Sequence, residues 1–145
     1  MANLVGPIFG TPRMGQSYHV QDCAYAVIKN DSGEVAVART PKGNVLLGGG
    51  VEAGESEQDA LHREAYEESG YQIRIVSRLG FATQYLNNTV KGRYRLKRGT
   101  FFECELTKRL GPPLEHDHEL IWLPYDEALE TLIRPFHRWA LELVR

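Results

Sequence analysis

The sequence predicts an α+β fold built around a mixed β-sheet. Strand-like and helix-like segments both occur along the chain, with no internal repeat, low-complexity tract or obvious linker. At 145 residues and 42% hydrophobic content, the chain has enough apolar material for one ordinary core. We therefore expect residues 1–145 to form a single domain.

The first part of the chain predicts a β-hairpin and a further strand. Residues 20–29 and 34–39 are strand candidates, and the second alternates as a half-buried strand does. Residues 30–33 supply the turn between them. Residues 44–47 then predict a short apolar strand, and the glycine run 48–50 permits close approach of the backbone to a ligand.

A helix is expected over residues 57–69. Ser56 and Asp59 resemble a weak capping box at its start, and Gly70 occupies the position of a left-handed C-terminal cap. Leu61 and Ala65 lie four positions apart and give the helix a narrow apolar stripe for the core. Its opposite face is therefore expected to look outward into a cleft.

The second half of the chain predicts further strands and two helices. Pro124 opens a helix capped by Asp126 and ending near residue 133, and Pro135 fits the first turn of a terminal helix that ends near Val144. Turn signals fall at 87–88 and 91–92. The apolar residues of the terminal helix, with Trp139 as the core anchor, are Phe136, Trp139, Ala140 and Leu143. The strand candidates cover residues 72–76, 79–86, 99–106 and about 120–123.

Three carboxylates, those of Glu64, Glu67 and Glu68, fall within five positions of the 57–69 helix. Residues three and four apart are neighbours on a helix surface, so the three side chains share an arc of roughly 100°. Unpaired, they repel and raise one another's pKa, whereas Mg²⁺ accepts such oxygen ligands. The pattern indicates a metal site. A solvated helix with pairs such as Arg63 to Glu67 is the alternative, but it leaves the preceding glycines unexplained.

Segment 49–71 resembles the complete signature of the MutT-like Nudix hydrolase family. The resemblance covers most of the chain and implies an α/β/α sandwich that hydrolyses a nucleoside diphosphate linked to another moiety. One departure is Leu47, which stands where the family usually has proline; its effect is a lost φ constraint and no lost ligand. The matching residues are Gly49, Glu55, Arg63, Glu64, Ala65, Glu67, Glu68, Gly70 and Tyr71.

The resemblance also implies roles for individual residues. Glu64 is the expected general base, and Glu68 and Arg63 complete the catalytic set, with Arg63 orienting the carboxylates through Glu67. Glu55 is expected to tie the loop to the helix. The expected cofactor is Mg²⁺, with Mn²⁺ as the alternative. Its implied ligands on this segment are the backbone carbonyl of Gly48 and the carboxylates of Glu64, Glu67 and Glu68.

A second acidic cluster, residues 115–119, precedes the strand at 120–123. Many family members draw one more metal ligand from such a region, and Glu115 and Glu119 are both candidates. A zinc pair formed by His116 and His118 is disfavoured because no cysteine or suitably spaced third histidine accompanies them. A solvated loop is the other interpretation.

Basic residues are concentrated between positions 91 and 98. Arg93, Arg95 and Lys97 share one face of a strand, where a substrate phosphate would meet them. A charge-protected edge strand is the favoured interpretation. Aromatic residues in strands are more often core than base-stacking platforms. The basic set is Lys91, Arg93, Arg95, Lys97 and Arg98, and the aromatic set is Tyr18, Tyr25, Phe81 and Tyr85.

Composition and the lack of long apolar segments limit the binding partners and cellular compartments that we expect. A formal charge of −2 argues against general nucleic-acid binding, and no run of 18 or more apolar residues is present. No secretory signal is visible, so a soluble cytoplasmic protein is expected, with a homodimer left open. Cys23 and Cys104 are isolated and are expected to be buried free thiols.

Two function classes follow. The first is a pyrophosphohydrolase, and the second is a regulatory domain that binds a nucleotide without turnover. The three clustered glutamates favour the enzyme, because a pure binder has no need of them. Sequence tags of NADH, coenzyme A and ADP-ribose hydrolases are absent, which leaves nucleoside triphosphates or a dinucleotide polyphosphate as small-molecule substrates.

Overall fold

The computed structural model describes residues 4–88 and 93–145 as strands and helices joined by short loops. The elements of its first half are β1 (Ile8–Phe9), β2 (His19–Ile28), β3 (Val35–Thr40), β4 (Gly43–Val45), β5 (Leu47–Gly50) and α1 (Glu57–Ser69). Those of its second half are β6 (Tyr71–Asn88), β7 (Arg93–Arg109), β8 (Glu119–Leu123), α2 (Tyr125–Thr131) and α3 (Pro135–Glu142).

The strands form two sheets. The larger has the order β1-β6-β7-β2-β5, and the smaller has the order β4-β3-β8. Strand β2 runs parallel to β7 and antiparallel to β5, while β6 and β7 are antiparallel. The larger sheet is therefore mixed, as the sequence predicts.

Alternate residues of β2 face two different helical layers. Ala24 and Ala26 lie in a buried cluster with Leu61 of α1, whereas Tyr25 lies in a second buried cluster with Phe136 of α3. This division follows from the two-residue period of a strand. The sheet thus lies between helices on both faces, which confirms the expected α/β/α arrangement.

Helix α1 has the predicted bounds and caps. The Ser56 hydroxyl accepts a hydrogen bond from the backbone N–H of Asp59 at 3.0 Å, and Gly70 has φ of 78°. A β-carbon at Gly70 would lie 2.0 Å from the carbonyl oxygen of Gly111. Both the left-handed backbone conformation and the lack of room for a side chain therefore require glycine at position 70. The absence of a side chain lets the chain after β7 pack against the C-terminal end of α1.

The predicted hairpin of β2 and β3 does not form. The turn is present, but beyond one bridge between Lys29 and Val35 the two strands enter different sheets. Strand β3 pairs with β8 and is buried from Val35 to Ala38 on both faces, so the half-buried assignment is also wrong. Alanine side chains are small enough to be covered from either side, which the alternation pattern does not reveal.

The predicted strand at 44–47 is divided between two sheets. Residue 46 separates β4 from β5, because the backbone N–H of Leu46 donates to Nδ1 of His137 at 3.2 Å and not to a neighbouring strand. Residues 72–76 and 79–86 instead join into the single strand β6, whose pairing with β7 shifts register between Ile75 and Ser77 and between Arg78 and Gly80. Strand β1 was not predicted.

The basic stretch does not form an edge strand. Strand β7 pairs with β2 from Arg95 onward and with β6 on its other side, so the edge interpretation is wrong for Arg95 and Lys97. Arg93 lies before the pairing with β2 begins. The alternation of residues along a strand indicates which side chains share a face, but it does not indicate which strands will pair with it. Lys91 and the predicted turn at 91–92 lie outside the described residues.

The C-terminal helices are shorter than predicted. Helix α2 begins after Pro124 with no side-chain cap, and Asp126 lies within its first turn. Trp139 packs against the core as predicted, but Leu143 follows the end of α3 and is 46% exposed. Both cysteines are buried and free. No helix among residues 4–88 and 93–145 is long and apolar enough to cross a membrane.

Candidate active site

The glycine run of β5 lies directly against the carboxylates of α1. A β-carbon built on Gly49 would lie 2.7 Å from Cδ of Glu64, and the backbone N–H of Gly48 donates to Oε1 of Glu68 at 2.8 Å. Gly48 itself has φ of 135°, a conformation that other residues rarely adopt. The glycines are therefore needed for the approach of strand and helix.

Arg63 joins the helix to the loop that precedes it. Its Nε and Nη2 donate to the two oxygens of Glu55 at 2.7 and 2.9 Å, and Nη2 also donates to the carbonyl of Gly50 at 3.0 Å. The hydrogen bond from Arg63, followed by one from the backbone N–H of Glu52, lowers the pKa of Glu55 to about 2. A bidentate pair of this kind fixes both side chains.

Arg63 also contacts two carboxylates of its own helix. Its Nη1 donates to Oε1 of Glu64 at 3.0 Å and lies 3.4 Å from Oε2 of Glu67. The sequence assigned its orienting role to Glu67, whereas the geometry gives the closer contact to Glu64. Burial raises the pKa of Glu64 against the lowering effect of Arg63.

Glu68 is buried at the base of the cluster. Only 5% of the residue is exposed, so the expectation that all three carboxylates face outward is wrong for Glu68. Burial raises its pKa well above the ordinary value; the Gly48 N–H opposes this, and the charges of Glu64, Glu115 and Glu67 reinforce it. A buried carboxylate beside other carboxylates is costly without a compensating cation.

The two distal candidates occupy different environments. The backbone N–H groups of Leu114 and Glu115 donate to the carbonyl of Glu67 at 2.8 and 3.0 Å, which places this loop on the end of α1. The charge of Glu115 helps to raise the pKa of Glu64 and Glu68. Glu119, by contrast, forms an ion pair with Arg39 at 2.8 Å, and its side chain is 63% exposed.

The histidine of the same loop reaches the buried carboxylate. Nε2 of His118 lies 3.6 Å from Oε2 of Glu68, and its Nδ1 lies 2.9 Å from Oδ1 of Asp117. One ligand atom from each of Glu115, Asp117 and His118 falls within 4.8 Å of the others. The acidic loop and the helix thus contribute to one region of the surface.

Comparison with protein families identifies this arrangement. The NUDIX domain family model matches residues 19–144, which is most of the chain. The chain belongs to the Nudix family. It is a Nudix pyrophosphohydrolase, an enzyme that acts on acid anhydrides, and enzymes of this family generally use a divalent metal and act on small nucleotides. A comparison with curated proteins found no match.

Solved structures share the fold of this Nudix hydrolase. The solution structure of the Escherichia coli ORF135 protein is 26% identical, with a TM-score of 0.66 over 88% of this chain and 89% of that one. The MutT protein of Methanosarcina mazei is 21% identical, with a TM-score of 0.67 over 88% and 94%. The MutT Nudix hydrolase of Burkholderia pseudomallei is 24% identical, with a TM-score of 0.63 over 88% and 99%.

The residues of the Nudix helix fit a hard divalent cation. The candidate ligands on α1, the side chains of Glu64, Glu67 and Glu68, are all carboxylates, the donor type that Mg²⁺ and Mn²⁺ prefer. Glu68 is buried, and its pKa is raised in part by three other carboxylates. A cation bound here would relieve that repulsion. Both the type of ligand atom and the electrostatics of the cluster therefore favour a divalent cation.

A cavity of about 370 Å³ opens beside the Nudix helix. Its volume lies in the range of small-molecule sites. Lys97 lines the cavity, although the sequence predicted that it belongs to a charged edge strand. Arg134 and His137 also line the cavity, and they were not identified as site residues from the sequence. Their position next to Pro135 at the start of α3 was the available signal, but it indicates a helix and not a cavity. The glycine run, Glu68 and His118 also line the cavity.

Replacement of Gly49 by alanine tests the close approach of β5 and α1. Because the new β-carbon would lie 2.7 Å from Cδ of Glu64, that side chain must move, and we expect kcat to fall by a factor of about 10 to 100. Gly111→Ala is the matched control, since a β-carbon there meets nothing within 4 Å. Steady-state hydrolysis by both variants measures the effect, and equal kcat values would contradict it.

Proposed function

We propose that this Nudix hydrolase is a single Mg²⁺-dependent domain that cleaves a phosphoanhydride bond of a nucleoside diphosphate linked to another moiety. The most suitable substrates are a nucleoside triphosphate or a dinucleotide polyphosphate. One observation supports this above all: Glu64, Glu67 and Glu68 converge with Glu115 beside a cavity of small-molecule size. Three clustered carboxylates serve a cation and a charged reaction better than they serve simple binding.

The metal ligands in this proposal come from the helix, the strand and the distal loop. When bound, a divalent cation neutralises charge on the phosphate oxygens and lowers the pKa of water. Glu115 is the distal ligand we favour, because it interacts with Glu64 and Glu68 while Glu119 is paired with Arg39. The full set is the backbone carbonyl of Gly48 and the carboxylates of Glu64, Glu67, Glu68 and Glu115.

Glu64 takes the proton of the attacking water in this proposal. Arg63 donates to its Oε1 at 3.0 Å, and among the described residues none donates to its Oε2, which is therefore available to the water. Burial raises the pKa of Glu64, which makes the carboxylate a stronger base. As water attacks phosphorus, its proton passes to Oε2 of Glu64 and the bond to the leaving phosphate oxygen breaks.

A substrate panel tests the proposal. Purified protein is incubated with Mg²⁺ and canonical or oxidised nucleoside triphosphates, dinucleotide polyphosphates and sugar nucleotides, and phosphate release is measured with and without chelator. We expect Mg²⁺-dependent release from at least one nucleotide. Tight binding with no release from any member would instead support a nucleotide-sensing domain.

The distal ligand is tested by a pair of substitutions. Glu115→Gln should lower kcat by a factor of about 10 or more, because it removes a charge that interacts with Glu64 and Glu68. Glu119→Gln should change kcat by less than about twofold, because it removes only an exposed ion pair. Near-wild-type rates for both variants would place this ligand elsewhere in the chain.

A further inference from the structure

The cavity beside the Nudix helix carries a second group of polar side chains that the proposed chemistry does not use. We call Lys97, Arg134 and His137, which line it together, the donor wall. No residue in the described ranges accepts a hydrogen bond from the side chains of Lys97 or Arg134, and neither forms an ion pair there. Ammonium and guanidinium groups have donors only, so both are left without acceptors.

The third member of the donor wall is a neutral histidine with an unused donor. The backbone N–H of Leu46 donates to Nδ1 of His137 at 3.2 Å, so in the neutral ring the proton lies on Nε2. Burial, followed by the charges of Arg134 and Lys97, lowers the pKa of His137 well below its ordinary value. His137 is 2% exposed, and its Nε2 has no partner in the described structure. An orphaned buried donor of this kind carries a free-energy cost.

The cations of the donor wall also repel one another. Burial lowers the pKa of Lys97, and the charges of Arg134 and Arg95 lower it further, while Cys23 and Glu64 oppose this change. Burial likewise lowers the pKa of Arg134, with Arg95 again contributing. The Nε of Arg95, two residues before Lys97 on the same face of β7, is buried without a partner. Glu68 and Asp117 line the same cavity, but among the described residues neither Lys97 nor Arg134 is paired with a carboxylate. A bound anion would therefore compensate these cations further.

We propose that the substrate carries a second anionic group besides its diphosphate, a phosphate or a carboxylate, and that Lys97, Arg134 and His137 bind it. This inference rests on the function proposed above, because it names the substrate class of the same cavity. A neutral base brings no charge, so binding of a base edge would leave the positive charges of Lys97 and Arg134 uncompensated. An anion with two or three oxygens accepts from an ammonium, a guanidinium and an imidazole at once.

Two matched pairs of ligands test the proposal without any need for turnover. Uridine diphosphate glucuronate and uridine diphosphate glucose differ by one carboxylate, and adenosine 3′-phosphate 5′-diphosphate and adenosine diphosphate differ by one phosphate. Dissociation constants are measured calorimetrically in Mg²⁺, with Glu64→Gln protein where a ligand is consumed. We expect the charged member of at least one pair to bind about tenfold more tightly or better. The pair that discriminates identifies the source of the anion.

Substitutions connect the preference to the donor wall. Lys97→Met and Arg134→Leu should each reduce the charged-to-neutral affinity ratio at least threefold, whereas Lys108→Met, an exposed change of the same charge on the same strand, should leave it intact. Lys97→Met should also melt at a higher temperature than the wild type without ligand, since it removes a poorly solvated charge. The higher melting point shows that the variant is folded.

Equal affinities within both pairs for the wild-type protein would overturn the proposal. Discrimination between guanosine and adenosine diphosphate, without discrimination within either pair, would also overturn it and would assign the wall to a base edge. Failure of the proposed function has a different signature, namely no Mg²⁺-dependent hydrolysis of any panel member. If the charged-to-neutral affinity ratio were unchanged in that case, the anion site would still be supported, in a protein that binds nucleotides without hydrolysing them.

Discussion

Glu64→Gln and Glu68→Gln are each expected to lower kcat by a factor of about 100 or more with the fold intact. Glutamine at position 64 keeps an oxygen for Arg63, which donates to Glu64 at 3.0 Å, but it cannot take a proton from water. Glutamine at position 68 keeps an acceptor for the N–H of Gly48 but loses the charge that a cation would use. Steady-state hydrolysis of the best panel substrate measures both effects.

Asp59→Asn is the matched control for these two variants. Asp59 is an exposed acid in the first turn of the same helix, and among the described residues its side chain forms no ion pair. Its backbone N–H is already capped by Ser56. Its kcat should stay within about twofold of the wild type, and all three variants should melt cooperatively. If Glu64→Gln and Glu68→Gln remained active on every substrate tried, α1 would be a structural helix.

Removal of divalent cations should abolish hydrolysis, and Mg²⁺ or Mn²⁺ should restore it. The physical reason is the buried Glu68, whose pKa is raised by burial and by three nearby carboxylates. A cation that binds the folded protein and not the unfolded chain also stabilises the fold, by about 2.7 kcal/mol at 100 times its dissociation constant. Initial rates and melting temperatures across a Mg²⁺ series measure the two effects.

The same metal series separates specific binding from a general salt effect. Glu68→Gln should lose most of the Mg²⁺-dependent rise in melting temperature, while Asp59→Asn should retain it. Full turnover in excess chelator would rule out the metal-dependent mechanism. A melting temperature that does not change with Mg²⁺ in the wild type would argue against a preformed site.

Local signals were sufficient for the helix that carries the site. Ser56 and Gly70 mark its ends, since a hydroxyl at the N-cap and a left-handed glycine at the C-cap satisfy backbone groups whatever the rest of the chain does. The mixed sheet was likewise predicted from strand and helix patterns, whereas the helical layers on its two faces were implied by the resemblance of segment 49–71 to the Nudix signature. Each of these features depends on residues close together in sequence.

Features that depend on distant neighbours were not predictable. Lys97 was placed on an exposed edge because its own strand is rich in charge, and only the pairing of β7 with both β6 and β2 places it beside a cavity. Glu68 looked equivalent to Glu64 on the helix, but the backbone of Gly48 covers it. In both cases the deciding contact comes from a different secondary-structure element, and the local pattern of the residue's own helix or strand does not reveal it.

The choice between Glu115 and Glu119 illustrates the same limit. The two acids lie four positions apart in one polar segment, and nothing in their local sequence separates them. The separation comes from the carbonyl of Glu67, which fixes the backbone at Glu115, and from Arg39, which engages Glu119. Neither contact has a signature in the order of the residues.

The most direct test of the account follows the oxygen of the attacking water. Hydrolysis of the best panel substrate in ¹⁸O-labelled water is compared for the wild type, Glu64→Gln and Asp59→Asn by mass spectrometry of the phosphate products. We expect one labelled phosphate product at nearly equal rates for the wild type and Asp59→Asn, and a rate at least about 100-fold lower for Glu64→Gln. Equal labelling rates for the wild type and Glu64→Gln would contradict the assignment of Glu64 and with it the proposed mechanism.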